Sequence, residues 1–331
     1  MTPPPYAQLD PDTILAALDS VGLATDGRLL ALNSFENRVF QIGIEDAAPV
    51  VAKFYRPQRW SDEAIDEEHA FVTELAAHEI PVVAPLVLEG GTLHRHADFR
   101  FAVYPRCGGR PPELSDRETL EWMGRFLGRI HAVGAMTPFR HRTALGIDLF
   151  GVAPRDWLLA HEFIPRDLRE AWSAIAAQAL DGVRRCWNRA GDVRTLRLHG
   201  DCHAGNVLWT EHGASRGPHF VDFDDARTGP AVQDLWMLLS GDRADMTRQL
   251  ADVLKGYAAF FDFDPRELHL VEALRTLRLL HYSAWLAQRW DDPAFPSAFP
   301  WFNTQRYWQD RILELREQVA LMDEPPLAAA R

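Results

Sequence analysis

Two hydrophobic periods divide this chain. In the first third, after one short helix, apolar residues come in β-branched and aromatic blocks; beyond that they recur every three or four positions. Asp10 as N-cap, Pro11 at the first helical position and Gly22 as terminator frame the opening helix, with Ile14, Leu15 and Leu18 on one side. The runs ENRVFQIGIE and PVVAKFY, joined by the turn-like DAAP, predict a β-hairpin. DEAIDEEHAFVTELAAHEI sets Ile65, Phe71 and Leu75 at roughly helical spacing among acids, and Pro81 lies beyond its end. TLHRHADFRFAVYP returns to strand character, after which Gly108, Gly109, Pro111 and Pro112 punctuate PRCGGRPPE as a linker.

From the linker onward the pattern is helical. RETLEWMGRFLGRIHAV carries Leu120, Met123, Phe126, Leu127 and Ile130 as an amphipathic stripe, and VEALRTLRLLHYSAWLAQRW is another such helix. Between such helices lie two short strand-like pieces, NVLW and HFVDF, joined by the turn-rich TEHGASRGP. The expected class is α+β and bilobal: a small sheet-rich lobe over residues 1–105 and a larger, mostly helical lobe over residues 106–331 carrying a small hairpin.

Composition narrows the function classes. The 331 residues, 47% hydrophobic with 11 tryptophans, can bury a sizeable core. A net charge of -12, from 35 basic and 47 acidic residues, argues against a broad basic grip on nucleic acid or an anionic membrane. Any phosphate site must therefore be local. Cys107, Cys186 and Cys202 are too few and too scattered for a disulfide framework and suit a reducing compartment. The start does not read as a signal peptide, and no apolar run approaches the ~20 residues of a membrane span. A cytoplasmic monomer is the expectation.

One stretch concentrates chemistry. LHGDCHAGNVLW, from Leu198 to Trp209, sets Asp201 five positions before Asn206. If NVLW and HFVDF pair around a loop centred near Ala214, residues whose numbers sum to 428 lie opposite each other, which brings Asn206 beside Asp222. Asp201 sits on the loop leading into the first strand, so three oxygen-bearing side chains converge as a hard cation such as Mg²⁺ requires. Asp224 would share a strand face with Asp222 by the period of two. Phosphoryl transfer further needs a cation over the nucleotide phosphates. Lys53, on a predicted strand, is the candidate, and the acidic helix offers Glu67 or Glu68 to fix it.

LHGDCHAGNVLW, followed by HFVDFDDARTGPAVQDLW, resembles the catalytic segment of the aminoglycoside phosphotransferase and choline kinase-like superfamily, a branch of the protein-kinase fold. LNSFENRVFQ, DEEHAF, HGDCHAGNVLW and DDARTGPAVQDLWMLL, in order over nearly the whole chain, resemble more closely a family of bacterial stress-response Ser/Thr protein kinases within it. That resemblance implies an ATP- and Mg²⁺-dependent kinase acting on Ser/Thr hydroxyls of proteins, its own included. A small-molecule kinase of choline, homoserine or sugar type is the alternative; a pseudokinase binding module and a metal phosphohydrolase are more distant rivals. By resemblance Asp201 is the catalytic base, Asn206 a metal ligand and Asp222 the principal metal aspartate. Lys53 is the phosphate-binding lysine, and Glu68 its partner in preference to Glu67, because the spacing to Leu75 and Pro81 matches the family. The turn NSFEN stands where the phosphate-covering loop belongs, with Glu36 at the nucleotide by resemblance and Ser34 and Asn37 as hydrogen-bonding groups in place of a Gly-x-Gly. Fold analogy puts the adenine near Tyr104.

Other residues have plainer roles. His199 and His203 read as loop braces, and Asp234 as an acid favoured at a helix start that by resemblance also braces the catalytic loop. Cys202 reads as a small filler, with an oxidation-sensitive switch as the sharper alternative. Arg275, Arg278, His281 and FPSAFPWFNTQRYW lie where the superfamily builds its acceptor site; the preferred expectation is nevertheless that Trp285, Trp301 and Trp308 are core and the arginines a solvated face.

Overall fold

A computed structural model describes residues 4–211 and 216–328. It opens with α1 (Pro11–Asp19), started by Pro11 and by the Asp10 carboxylate, which accepts the Thr13 N–H at 2.8 Å. There follow β1 (Thr25–Ala31), β2 (Arg38–Ile44), β3 (Val50–Phe54), α2 (Asp62–Ala77), β4 (His94–His96) and β5 (Phe99–Pro105). The strands make one antiparallel sheet in the order β1-β2-β3-β5-β4.

Alternation along the strands decides which way the chemistry points. Val50, Ala52 and Phe54 of β3 and Phe101 and Val103 of β5 face α1, forming a core with Ile14 and Leu18. Lys53 is out of phase with them and so projects from the opposite face, where Tyr55 and Ala102 pack against Ile65 of α2. Strand β1 is not among the elements the sequence pattern predicts: its run TDGRLLA is half-buried or exposed throughout. An edge strand with so little burial has no apolar alternation to betray it.

The second lobe contains α3 (Arg117–Gly134), α4 (Ala153–Ala160), α5 (Arg169–Ala190), β6 (Thr195–Leu198), β7 (Val207–Thr210), β8 (Gly217–Phe220) and β9 (Arg227–Pro230), then α6 (Val232–Trp236), α7 (Arg243–Tyr257), α8 (Val271–Gln288), α9 (Ala294–Ala298) and α10 (Gln305–Asp323). α3 and α7 touch through glycines: a Cβ on Gly124 would lie 2.0 Å from the Val253 carbonyl oxygen, and one on Gly256 2.0 Å from that of Glu121. Trp172 of α5, Leu277 and Leu280 of α8, and Trp308 and Leu315 of α10 share one core. Phe71 and Leu75 of α2 join another with Leu120, Met123 and Leu127 of α3 and with Phe220 and Phe223. Each such side chain contributes about 1.5–3 kcal/mol when fully buried, so α2 is anchored to both lobes. Among the described residues no helix is long and apolar enough to cross a membrane.

The small hairpin differs from its expected register. Val207 lies opposite Phe220 and Leu208 opposite His219, so partner numbers sum to 427, not 428. Six residues, 211–216, separate the last pair, Thr210 and Gly217; an even loop puts the centre between two residues rather than on Ala214, which lies outside the described residues. Val221, not Asp222, therefore stands across from Asn206, and its N–H donates to the Asn206 carbonyl at 3.0 Å. Asp222 has already left the strand: its backbone is left-handed (φ 60°, ψ 62°), and a 3₁₀ turn over Phe223–Asp225 follows. Asp224 accordingly does not share a strand face with Asp222; the turn buries it.

Candidate active site

Lys53 is the hub of a buried charge cluster. Its ammonium lies 3.5 Å from Glu68 Oε1, 3.2 Å from Asp222 Oδ1 and 3.1 Å from Asp224 Oδ1. Burial alone would lower the Lys53 pKa, but the carboxylates of Asp224, Glu68 and Asp222 outweigh it and hold the ammonium above its ordinary value. Glu68 also accepts from Arg142 Nη2 at 2.9 Å, while Arg142 Nη1 donates to the Asp224 and Ala226 carbonyls at 2.8 and 2.9 Å. Arg142 thus ties α2 to the turn that follows Asp222. Arg59 closes the cluster from the sheet lobe by pairing with Asp224 and with Asp225, the latter at 2.9 Å. Neither arginine was legible as a site residue, since both sit in loops without periodicity. Glu67 is elsewhere, accepting the backbone N–H groups of Arg140, His141 and Arg142.

The loop from β6 to β7 holds Asp201 and Asn206. Asn206 Nδ2 donates to the Asp201 carbonyl at 2.9 Å and lies 3.4 Å from its Oδ2. Asp201 Oδ1 accepts from Arg278 Nη1 of α8 at 2.6 Å, and Oδ2 lies 3.4 Å from His203 Nε2. Burial would raise the Asp201 pKa, yet the His203 hydrogen bond and the Arg278 charge overcome it and hold the carboxyl well below the usual range. Beneath this loop Asp234 is fully buried and accepts from the N–H groups of His199 (2.9 Å) and Gly200 (2.8 Å), with His131 Nε2 at 3.1 Å. Gly200 must be glycine: at φ 85° a Cβ would strike the Asp225 carbonyl oxygen at 2.1 Å. His199 joins the two loops, its Nδ1 accepting from Asp201 N–H at 3.4 Å and its Nε2 facing the Val221 carbonyl at 2.9 Å. Those partners fix a neutral ring with the proton on Nε2.

The NSFEN turn spends its polar groups internally, on the chain just after β3, and on α8 and its end. Ser34 Oγ donates to the Asn37 carbonyl at 2.8 Å, and the buried Asn37 accepts the Arg56 N–H at 3.0 Å. Glu36 reaches across to Trp285 and to Arg289 Nη2, the latter at 2.9 Å, while Phe35 packs on Phe299 with ring centroids 4.8 Å apart. Arg278, His281, Trp285 and Arg289 are three, four and four residues apart, so one stripe of α8 and its end runs from Asp201 to this turn. Arg278 is solvated as expected, its side chain 45% exposed, yet it also engages Asp201; Arg275 is more covered, bonding Glu272 at 3.3 Å and lying over Trp236. Of the three tryptophans only Trp308 is fully buried, Trp285 is partly buried and Trp301 is 46% exposed. Tyr104 lies on the Lys53 face of the sheet, its hydroxyl 3.1 Å from that of Tyr55.

Among the described residues no three His, Cys, Asp or Glu side chains form a ready-made metal cage. The donors present still fit Mg²⁺, which takes one or two protein oxygens and fills its octahedron with phosphate and water. Asp222, with a 55% exposed side chain, offers a carboxylate, and Asn206, whose Nδ2 is turned to Asp201, offers its Oδ1 on the other side.

A family model described as the phosphotransferase enzyme family matches residues 28–271. Stress response kinase A of Escherichia coli (strain K12) and serine/threonine protein kinase RdoA of Salmonella typhimurium (strain LT2) are each 45% identical to this chain over 322 residues, spanning 97% of it and 96% of the relative. Among solved structures, amicoumacin kinase hAmiN in complex with AMP-PNP, Ca²⁺ and Ami matches with a TM-score of 0.72 at 19% identity, over 96% of this chain and 95% of that one. The microcompartment-associated aminopropanol kinase matches with a TM-score of 0.69 at 16% identity, over 94% and 96%. These two structures share the bilobal kinase-like fold.

Proposed function

This chain belongs to the phosphotransferase enzyme family, and we propose that it transfers the γ-phosphoryl group of ATP, with Mg²⁺, to Ser/Thr hydroxyls of proteins. The observation that carries the proposal is the convergence of Lys53, Glu68 and Asp222 from three separate segments, with Asp201 and Asn206 linked to Asp222 through Val221. Lys53, fixed by Glu68, positions the nucleotide phosphates; Asn206 and Asp222 hold the metal; Asp201 orients the acceptor hydroxyl and takes its proton. When bound, Mg²⁺ neutralises developing charge on the phosphates.

The acid–base assignment follows from charge. Asp201 is held ionised by His203 and Arg278, so it is ready to accept a hydrogen bond from a hydroxyl throughout the neutral range. The nucleotide lies between the lobes, divided at residues 105 and 106, with the NSFEN turn over its phosphates. Support for a protein acceptor comes from the two relatives, whose names are those of a stress response kinase and a serine/threonine protein kinase.

Incubation with radiolabelled ATP and Mg²⁺ tests this directly, offering in parallel a generic protein substrate, the chain itself and a panel of small alcohols. Label should enter Ser/Thr of protein, the chain's own included. Label confined to a small alcohol would replace the acceptor half of the proposal with the small-molecule reading, and ATP consumed with release of free phosphate alone would refute transfer.

A further inference from the structure

Transfer to a hydroxyl places negative charge between two oxygens, and cations on the acceptor side as well as the nucleotide side stabilise it. Lys53 serves the nucleotide side. On the acceptor side the loop between Asp201 and Asn206 reads Cys-His-Ala-Gly and supplies neither lysine nor arginine. The cation that stands there comes from a distant helix, as Arg278 Nη1 lies 2.6 Å from Asp201 Oδ1.

We propose that Arg278 is a catalytic residue whose guanidinium, resting on Asp201 in this structure, contacts the phosphoryl group in transit from ATP to the acceptor hydroxyl. The inference rests on the phosphotransferase reading of Asp201. An acceptor oxygen bonded to Asp201 sits about 3 Å from that carboxylate, and the phosphorus it attacks about 3–3.5 Å further on. A guanidinium on the same carboxylate oxygen therefore needs only a rotamer change to reach the equatorial oxygens with two N–H groups, keeping the fork geometry that arginine offers phosphate. Its side chain is 45% exposed, which leaves it room to move. An exposed ion pair of this kind adds at most about 1 kcal/mol to stability, so fold maintenance does not explain its position.

The stripe on α8 supports the placement. Its far end, Trp285 and Arg289, touches Glu36 in the turn that would cover the phosphates, while Arg278 touches the base. Eleven residues of helix span about 16 Å, the scale of a cleft that holds triphosphate and acceptor end to end. During transfer the hydroxyl oxygen forms its bond to the γ-phosphorus as the bond to the β,γ-bridging oxygen breaks. ADP leaves with that electron pair, the proton passes to Asp201 and then to water, and Arg278 compensates the charge on the three oxygens in between.

Calorimetric titration of the full-length protein with AMP-PNP and, separately, with ADP plus aluminium fluoride, both with Mg²⁺, tests this. Arg278→Gln should bind AMP-PNP within about threefold of wild type, because ground-state contacts remain. Its affinity for the ADP–aluminium fluoride complex and its kcat should each drop roughly 10²–10³-fold with little change in KM for ATP. Arg278→Lys should fall between the two, and added guanidinium ion should restore part of kcat to Arg278→Ala. Equal weakening of both complexes in Arg278→Gln, or an aluminium fluoride complex as tight as wild type's, would overturn the role of Arg278 while leaving the phosphotransferase reading standing. Failure of the wild-type protein to bind either nucleotide would sink that reading and this inference with it.

Discussion

Lys53 Nζ lies closer to Asp224 Oδ1, at 3.1 Å, than to Glu68 Oε1, at 3.5 Å. The lysine is thus set as much by the turn after Asp222 as by helix α2, and Asp224, like Glu68, is a fully enclosed partner while Asp222 stays half open. Removing the ammonium leaves Asp224 and Glu68 buried with only Arg59 and Arg142 against them. Lys53→Met should therefore cost about 3 kcal/mol of stability as well as all transfer. Urea unfolding without nucleotide measures the first effect; a midpoint equal to wild type's would show that the arginines suffice.

Asp201 and Asp222 should fail differently. Asp201→Asn keeps one acceptor oxygen, turns the other into an amide donor and removes the charge, so kcat should fall roughly 10²–10⁴-fold with nucleotide binding retained. Asp222→Asn should lose the gain in nucleotide affinity that Mg²⁺ brings, with little change in metal-free binding, because its half-exposed side chain is not a structural anchor. Calorimetry with and without Mg²⁺ separates the two variants, and identical profiles would undo the division of roles.

The parts of this site that were legible are those whose residue type is unusual for its position. A lysine inside an apolar strand run and an Asp–Asn pair entering a hairpin both stand out against their surroundings. Geometry that depends on loop parity was not legible: an even loop moved the register by one and turned Asp224 from a same-face strand neighbour of Asp222 into a buried acid of the Lys53 cluster. Arginines in loops were equally silent. Arg59 and Arg142 carry no periodic signal, and Arg278 lies on an amphipathic helix where a charged residue ordinarily means solvent. The edge strand β1 escaped for want of burial, whereas α1, capped by Asp10 and Pro11, was plain from its first residues.

Cys202 should not act as a redox switch, although it adjoins Asp201. Its side chain is fully buried within the core that contains Val207, Phe220 and Phe223. Burial, with the negative charges of Asp234 and Asp201, pushes the thiol pKa well above its ordinary value, so thiolate is scarce at neutral pH. Peroxide should inactivate Cys202→Ala and wild type at equal rates. A variant that resists peroxide would restore the switch.

Glu267 should make the fold less stable as pH rises through neutrality. It sits 3% exposed in the 3₁₀ segment Pro265–Leu270, and its Oε2 accepts the Val232 N–H at 2.8 Å. Burial pushes its pKa up from 4.5 to about 7, with the Val232 hydrogen bond pulling the other way. Between those values the folded state retains a proton that the unfolded chain has released, so stability declines with rising pH and levels off above about 7. Gln at this position keeps an oxygen for Val232 N–H and cannot ionise. Since other groups titrate in the same window, the observable is the difference in urea midpoint between wild type and Glu267→Gln, measured from about pH 5 to pH 8. The wild type should lose ground to the variant across that range. The effect should also reach the loop that carries Asp201, because Val232 begins the helix on which Asp234 holds the Gly200 and His199 amides. A constant difference would mean that Glu267 is already ionised in the folded protein at pH 5, with the Val232 N–H sufficing to hold the charge.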